Sequence, residues 1–80
     1  MDPETIEQLL REHLEDAHVA VSGDGRHFQA LIVTPEFEGL NRIKQHRRVY
    51  DVLGEHIDSD VLHAISMRTL TPAQWRDDAG

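Results

Sequence analysis

Residues Val19 to Val33 read Val-Ala-Val-Ser-Gly-Asp-Gly-Arg-His-Phe-Gln-Ala-Leu-Ile-Val, and this stretch decides the fold. It holds two β-rich runs around a turn. Val19 and Val21 alternate with Ala20. The run from His27 to Val33 puts Phe28, Ala30 and Ile32 on one face and Gln29, Leu31 and Val33 on the other. Between the runs, Ser22-Gly23-Asp24-Gly25 is turn chemistry. The two glycines are expected to supply positive φ, and an aspartate bonds readily to its own backbone. The expected product is a hairpin closed by a loop longer than two residues.

Helices flank this hairpin. Upstream, Asp2 suits an N-cap and Pro3 the first helical position. Ile6, Leu9, Leu10, Leu14 and Ala17 form one apolar stripe, opposite Glu7, Glu12 and Glu15. Downstream, Pro35 ends the strand and Gly39 breaks the chain again. A second helix is expected from about Leu40 to Ile57, with Ile43, Tyr50, Leu53 and Ile57 facing inward and a weak end at Gly54. Val61 to Leu70 reads as a third strand, with Val61, His63, Ile65 and Met67 on one face. Thr71-Pro72 opens a short last helix bearing Trp75. Trp75 and Tyr50 are expected to be buried, because aromatics are only 5% of residues.

The order is therefore α-β-β-α-β-α. The helix between the second and third strands is a crossover, so those strands run parallel if they are neighbours. This predicts a single α+β domain over residues 1–80, a three-stranded sheet with helices mainly on one face.

A chain of 80 residues holds one core. No apolar run approaches the roughly 20 residues of a membrane span. The start, Met1-Asp2-Pro3-Glu4, lacks a basic-then-apolar leader, so no secretory signal or membrane association is expected. There is no cysteine. That excludes disulfides, thiol catalysis and a self-contained thiolate metal site, and it fits a cytoplasmic location. The net charge of −7 disfavours nucleic-acid binding through the overall field. Such binding would need a local basic patch.

Arg42, Lys44, Arg47 and Arg48 are half of the 8 Lys and Arg residues, and they form the one candidate patch. The approach through Pro35 to Gly39 is reminiscent of a helix-turn-helix reading element. The plainer reading is a solvated helix face, with Lys44 and Arg48 partly neutralised by Asp51 on the same side.

Histidine occurs 6 times. His46 falls within the expected apolar arc between Ile43 and Tyr50, as a structural histidine at the core edge. His13, His18 and His56 read as structural or solvent-facing. His27 and His63 are different. Each lies near the start of a strand, and parallel neighbours would bring both to one end of the sheet, about 4.8 Å apart in strand spacing. Two imidazoles could then converge on one ion or cluster, with Gly23 and Gly25 letting the loop approach. Catalysis is not expected. Ser22, Ser59 and Ser66 lack a nucleophile-elbow context, and Gly23-Asp24-Gly25 leads into a strand rather than a phosphate-binding helix. Two imidazoles alone make a poor hydrolytic zinc site.

Five pieces in order carry a resemblance over nearly the whole chain. They are Ser22-Gly23-Asp24-Gly25-Arg26-His27-Phe28, Phe37-Glu38-Gly39, His46-Arg47-Arg48-Val49-Tyr50, His63-Ala64-Ile65-Ser66 and Thr71-Pro72-Ala73-Gln74-Trp75. With them the chain resembles the BolA family, and most of all its small bacterial branch. The resemblance implies a fold like the class II KH domain. It also implies a non-enzymatic role beside a monothiol glutaredoxin, in iron–sulfur trafficking or in iron and stress regulation. The chain would be a monomer alone and a heterodimer with that partner. A [2Fe–2S] cluster would be shared in the pair: glutaredoxin and glutathione bring thiolates, His63 is the strand ligand and His27 the loop ligand. The isolated chain would hold no cofactor. Gln45 stands where the family often has arginine, which weakens a nucleic-acid reading of the second helix. That alternative, a DNA-binding regulator contacting DNA through Arg42, Lys44, Arg47 and Arg48, is expected to bind weakly. The Gly-x-x-Gly loop of nucleic-acid-clamping KH domains is absent.

Overall fold

Val19 pairs with Ile32 and Gly23 with Phe28 across an antiparallel ladder, which closes the hairpin expected from the alternating runs. The computed structural model describes residues 1–79. In chain order they form α1 (Pro3–His13), β1 (His18–Gly23), β2 (Phe28–Val33), a single 3-10 turn (Pro35–Phe37), α2 (Arg42–Gly54), α3 (Ser59–His63), β3 (Ile65–Leu70) and α4 (Pro72–Ala79). The sheet order is β1-β2-β3, with β3 parallel to β2. The α+β class, the crossover and the central place of β2 are as the sequence predicts.

One sheet face carries Val19, Phe28, Ala30, Ile32 and Ile65. It packs against Ile6, Leu10 and Leu14 from the α1 segment and Val49, Val52 and Leu53 of α2. Phe37 of the 3-10 turn joins them, fully buried. Each of the Val, Leu, Ile and Phe side chains contributes about 1.5–3 kcal/mol on burial. This is the expected helical layer.

β1 is an edge strand, and α1 occupies two of its open hydrogen-bonding groups. The Val19 carbonyl accepts from Arg11 at 2.9 Å, and the Val21 N–H donates to Glu7 at 3.1 Å. Glu7 and Arg11 also pair with each other at 3.0 Å, one helical turn apart. Unpaired edge groups invite strand addition, and here the Val19 carbonyl and the Val21 N–H are occupied from within the chain.

α4 covers one corner of the opposite sheet face, and Ala20, Ser22, Gln29 and Ser66 on the rest of it are exposed. His18 and Arg68 lie in register positions facing away from the core, beside Val33 and Leu31. Trp75 of α4 stacks on His18, and Asp78 pairs with Arg68. α4 begins with a reciprocal cap: Gln74 N–H donates to Thr71 Oγ1 at 3.2 Å, and Thr71 N–H donates to Gln74 Oε1 at 2.9 Å. Trp75 is therefore half-buried on the outer face, not a core residue as expected.

Four other expectations are corrected. β3 starts at Ile65 rather than Val61, because Ser59–His63 winds into a helical turn. Leu62 N–H donates to the Asp58 carbonyl at 3.0 Å, and the adjacent pair Val61 and Leu62 both pack on the core. A helical turn lets neighbours share one side, and a strand does not. The buried side of α2 is Gln45, Val49, Val52 and Leu53, at helical spacing. Ile43 and Tyr50 are exposed, at 69% and 38%. The inward face differs from the one hydrophobic patterning predicts because Gln45, a polar residue, occupies a core position. α1 stops at His13, which leaves Ala17 beyond it. Finally, positive φ occurs at Gly25 and Gly39 but not at Gly23. Gly23 is required for space instead.

Candidate functional site

The loop that carries His27 spans Asp24 to His27 between the last β1–β2 pair. Its turn is held by Asp24. The Asp24 carboxylate accepts from the N–H groups of Arg26 and His27, each at 2.8 Å, and the Asp24 N–H donates to the His27 carbonyl at 3.2 Å. Those two backbone bonds, His27 first and Arg26 second, hold the Asp24 carboxyl below its ordinary range. Gly25 takes φ +92°, where a side chain is strained. A Cβ at Gly23 would press on the His27 carbonyl oxygen and come within 2.8 Å of Phe28 Cδ1. The backbone of His27 is thus pinned from Gly23, Asp24 and Phe28.

His63 is the last residue of α3. It is not carried on the strand itself, as expected, but by the turn that feeds it. The Phe28 N–H donates to the Ala64 carbonyl at 3.0 Å, and Phe28 is in register with Ile65. His27 and His63 therefore stand one and two residues ahead of a paired position on adjacent parallel strands. Both are exposed. Among the described residues no group of three or more His, Cys, Asp and Glu side chains gathers to hold a metal. The chain offers two imidazole donors at this end of the sheet and no thiolate. That is half of the four-ligand set of a [2Fe–2S] cluster in which imidazoles replace two thiolates.

The basic residues are not all held together. Arg48 turns to Glu36 at 3.1 Å and donates to the His13 carbonyl at 3.3 Å. Its partner is thus Glu36 rather than the Asp51 expected. Arg42, Lys44 and Arg47 are exposed and form no ion pair among the described residues. A groove of about 340 Å³, lined by Arg42, His46, Met67, Arg68, Thr69 and Leu70, runs between α2 and β3. His46 is half-buried and shares a second surface hollow with Ile43, Arg47 and Tyr50. Burial, and then the nearby Arg42 charge, hold its imidazole below the ordinary pKa.

Two features escaped the sequence reading. Gln45 is buried, donates to the carbonyls of Phe37 and Leu40 at 3.3 and 2.9 Å, and accepts from Thr69 Oγ1 at 2.8 Å. Its spacing with Val49 was the available signal. His13 and His56 meet with ring centres 4.9 Å apart, and nothing local in the sequence marks that contact.

A three-stranded mixed sheet with helices on its core face, and two exposed imidazoles at one end, defines a small α+β domain. The profile of the BolA-like protein family matches residues 1–74. The chain is 40% identical over 78 residues to the Acid stress protein IbaG of Escherichia coli K12, covering 98% of this chain and 93% of that one. A bolA protein homologue from Coxiella burnetii superposes with a TM-score of 0.83 at 38% identity, covering 95% of this chain and 97% of that one. BolA1 from Arabidopsis thaliana does so with a TM-score of 0.75 at 32% identity, covering 90% and 93%. This chain belongs to the BolA-like family, whose members are generally not enzymes. Among the described residues no helix is long and apolar enough to cross a membrane.

Proposed function

We propose that this chain is a non-enzymatic adaptor that docks on a monothiol glutaredoxin and contributes His27 and His63 to a shared [2Fe–2S] cluster. The supporting observation is the register of Phe28 with Ile65, which sets both imidazoles at one end of adjacent parallel strands. With no cysteine, the chain needs sulfur ligands from a partner. The pinned loop fixes the His27 backbone, and the α3 turn, tied to β2 by the Phe28–Ala64 bond, carries that of His63. The work lies in iron–sulfur trafficking or in iron and stress regulation, in the cytoplasm. The name of the Escherichia coli relative, an acid stress protein, favours the stress side of that pair.

The experiment mixes the purified chain with a monothiol glutaredoxin, glutathione, iron and sulfide, and follows visible absorption and complex size. A coloured heterodimer is expected. His63→Ala abolishes its spectrum without unfolding the chain, and His27→Ala weakens it. A cluster kept at full occupancy by the double variant would sink the assignment.

A second reading has its own support: Arg42 lines the α2–β3 groove, Arg47 lines the neighbouring hollow, and neither they nor the exposed Lys44 form an ion pair among the described residues. In it the chain is a regulator that touches DNA through α2. Each phosphate contact gives a slope of about −0.9 in log affinity against log salt. With Arg48 committed to Glu36, binding should be weak at ~150 mM salt. Tight, sequence-selective binding at that salt would put this reading first.

A further inference from the structure

The geometry points to a second, unrelated metal site: His13 and His56 form a two-imidazole clip for a divalent late transition ion such as Zn²⁺. Neither residue belongs to the His27 and His63 pair. They come from the ends of two different helices and are brought together only by the packing of α1 on α2.

Three observations carry the assignment. The first is distance. Two imidazoles bound through one nitrogen each to Zn²⁺, at about 2.0–2.1 Å with a near-tetrahedral angle, place their ring centres roughly 5 Å apart. The rings of His13 and His56 have centres 4.9 Å apart and planes tilted by 46°. The second is the tautomer. Nδ1 of His13 lies 2.8 Å from the Leu9 carbonyl oxygen, which can only accept. In the neutral ring Nδ1 therefore carries the proton, which leaves the lone pair on Nε2. A ligating histidine is typically fixed in this way, with its other nitrogen donating to a backbone carbonyl.

The third is the electrostatic setting. His13 is the last residue of α1, and His56 donates its N–H to the Leu53 carbonyl at 2.9 Å just past the end of α2. The carboxyl-terminal end of a helix favours a cation. The opposing charge is Arg48, which reaches the His13 carbonyl, and Glu36 neutralises it at 3.1 Å. Both imidazoles are exposed, so water can fill the remaining positions. A site of two protein ligands plus water holds an exchangeable ion rather than a structural one. Bound metal would tie the end of α1 to the end of α2 in the folded state only, and would raise thermal stability by mass action.

The test uses the full chain carrying His27→Ala and His63→Ala, so that its outcome is independent of the cluster assignment. Zn²⁺ alone is titrated while histidine ring resonances and the thermal midpoint are followed. One equivalent should shift the signals of His13 and His56 together, with His13 still protonated at Nδ1, and should raise the midpoint. Adding His13→Ala or His56→Ala should each weaken binding on the order of a hundredfold, because either change removes the chelate. Both residues are exposed, so these variants should fold. Unmoved signals from the two rings at millimolar Zn²⁺ would overturn the site. So would unchanged affinity in the chain lacking both.

Discussion

The Trp75 indole lies face to face with the His18 imidazole, ring centres 4.4 Å apart and planes 22° from parallel. This contact ties α4 to the outer face of the sheet at the start of β1. Because Trp75 is only half-buried, Trp75→Ala should cost about 1–2 kcal/mol, less than the ~3–5 kcal/mol of a fully buried tryptophan. A double-mutant cycle with His18→Ala should return a coupling of ~0.5–1.5 kcal/mol in chemical denaturation. Coupling near zero would reduce the pair to mere adjacency.

The glycines of the His27 loop should respond differently to the same change. Gly23→Ala forces a Cβ against the His27 carbonyl and Phe28 Cδ1. It should cost ~1–3 kcal/mol through overpacking. Gly25 faces open space, so Gly25→Ala meets only the strain of φ +92° and should cost about 1 kcal/mol. Asp24→Ala should leave global stability nearly unchanged but speed amide exchange at Arg26 and His27, whose N–H groups it releases. Equal midpoints for the two alanine variants would contradict this account of Gly23.

His46 should give the chain a pH-dependent stability component. Its imidazole pKa is depressed in the folded state, by burial first and by Arg42 second. As pH falls through about 6.5, the unfolded chain takes up this proton before the folded chain does. The contribution is therefore present above that pH and lost as pH falls toward the folded value. The difference in thermal midpoint between the parent chain and His46→Gln should shift in favour of the variant on going from pH ~7.5 to ~5.5. A constant difference would show that His46 titrates normally.

The hairpin and the parallel crossover were legible because they depend on strand periodicity, glycines and chain order, and that register is what sets His27 and His63 ahead of one paired position. The rotation of α2 was not. Hydrophobic patterning counts Ile43 as core and Gln45 as surface, and the fold reverses both. Gln45 is tolerated inside because its three hydrogen bonds to Phe37, Leu40 and Thr69 satisfy it; two of those partners lie just ahead of α2 and the third, Thr69, is distant in the chain on β3. The same blindness to tertiary partners hid the commitment of Arg48 to Glu36 and the meeting of His13 with His56. α3 was missed for a different reason: five residues are too few to show a period, and Val61-Leu62 suits either a strand or a helical turn.

The cover that Glu7 and Arg11 place over β1 limits how copies of this protein can associate. A sheet of order β1-β2-β3 has two borders, and on the β1 border two backbone groups are already taken by α1. A growing cross-β filament needs two open borders on every unit, so a strand arriving at β1 must first displace Glu7 and Arg11.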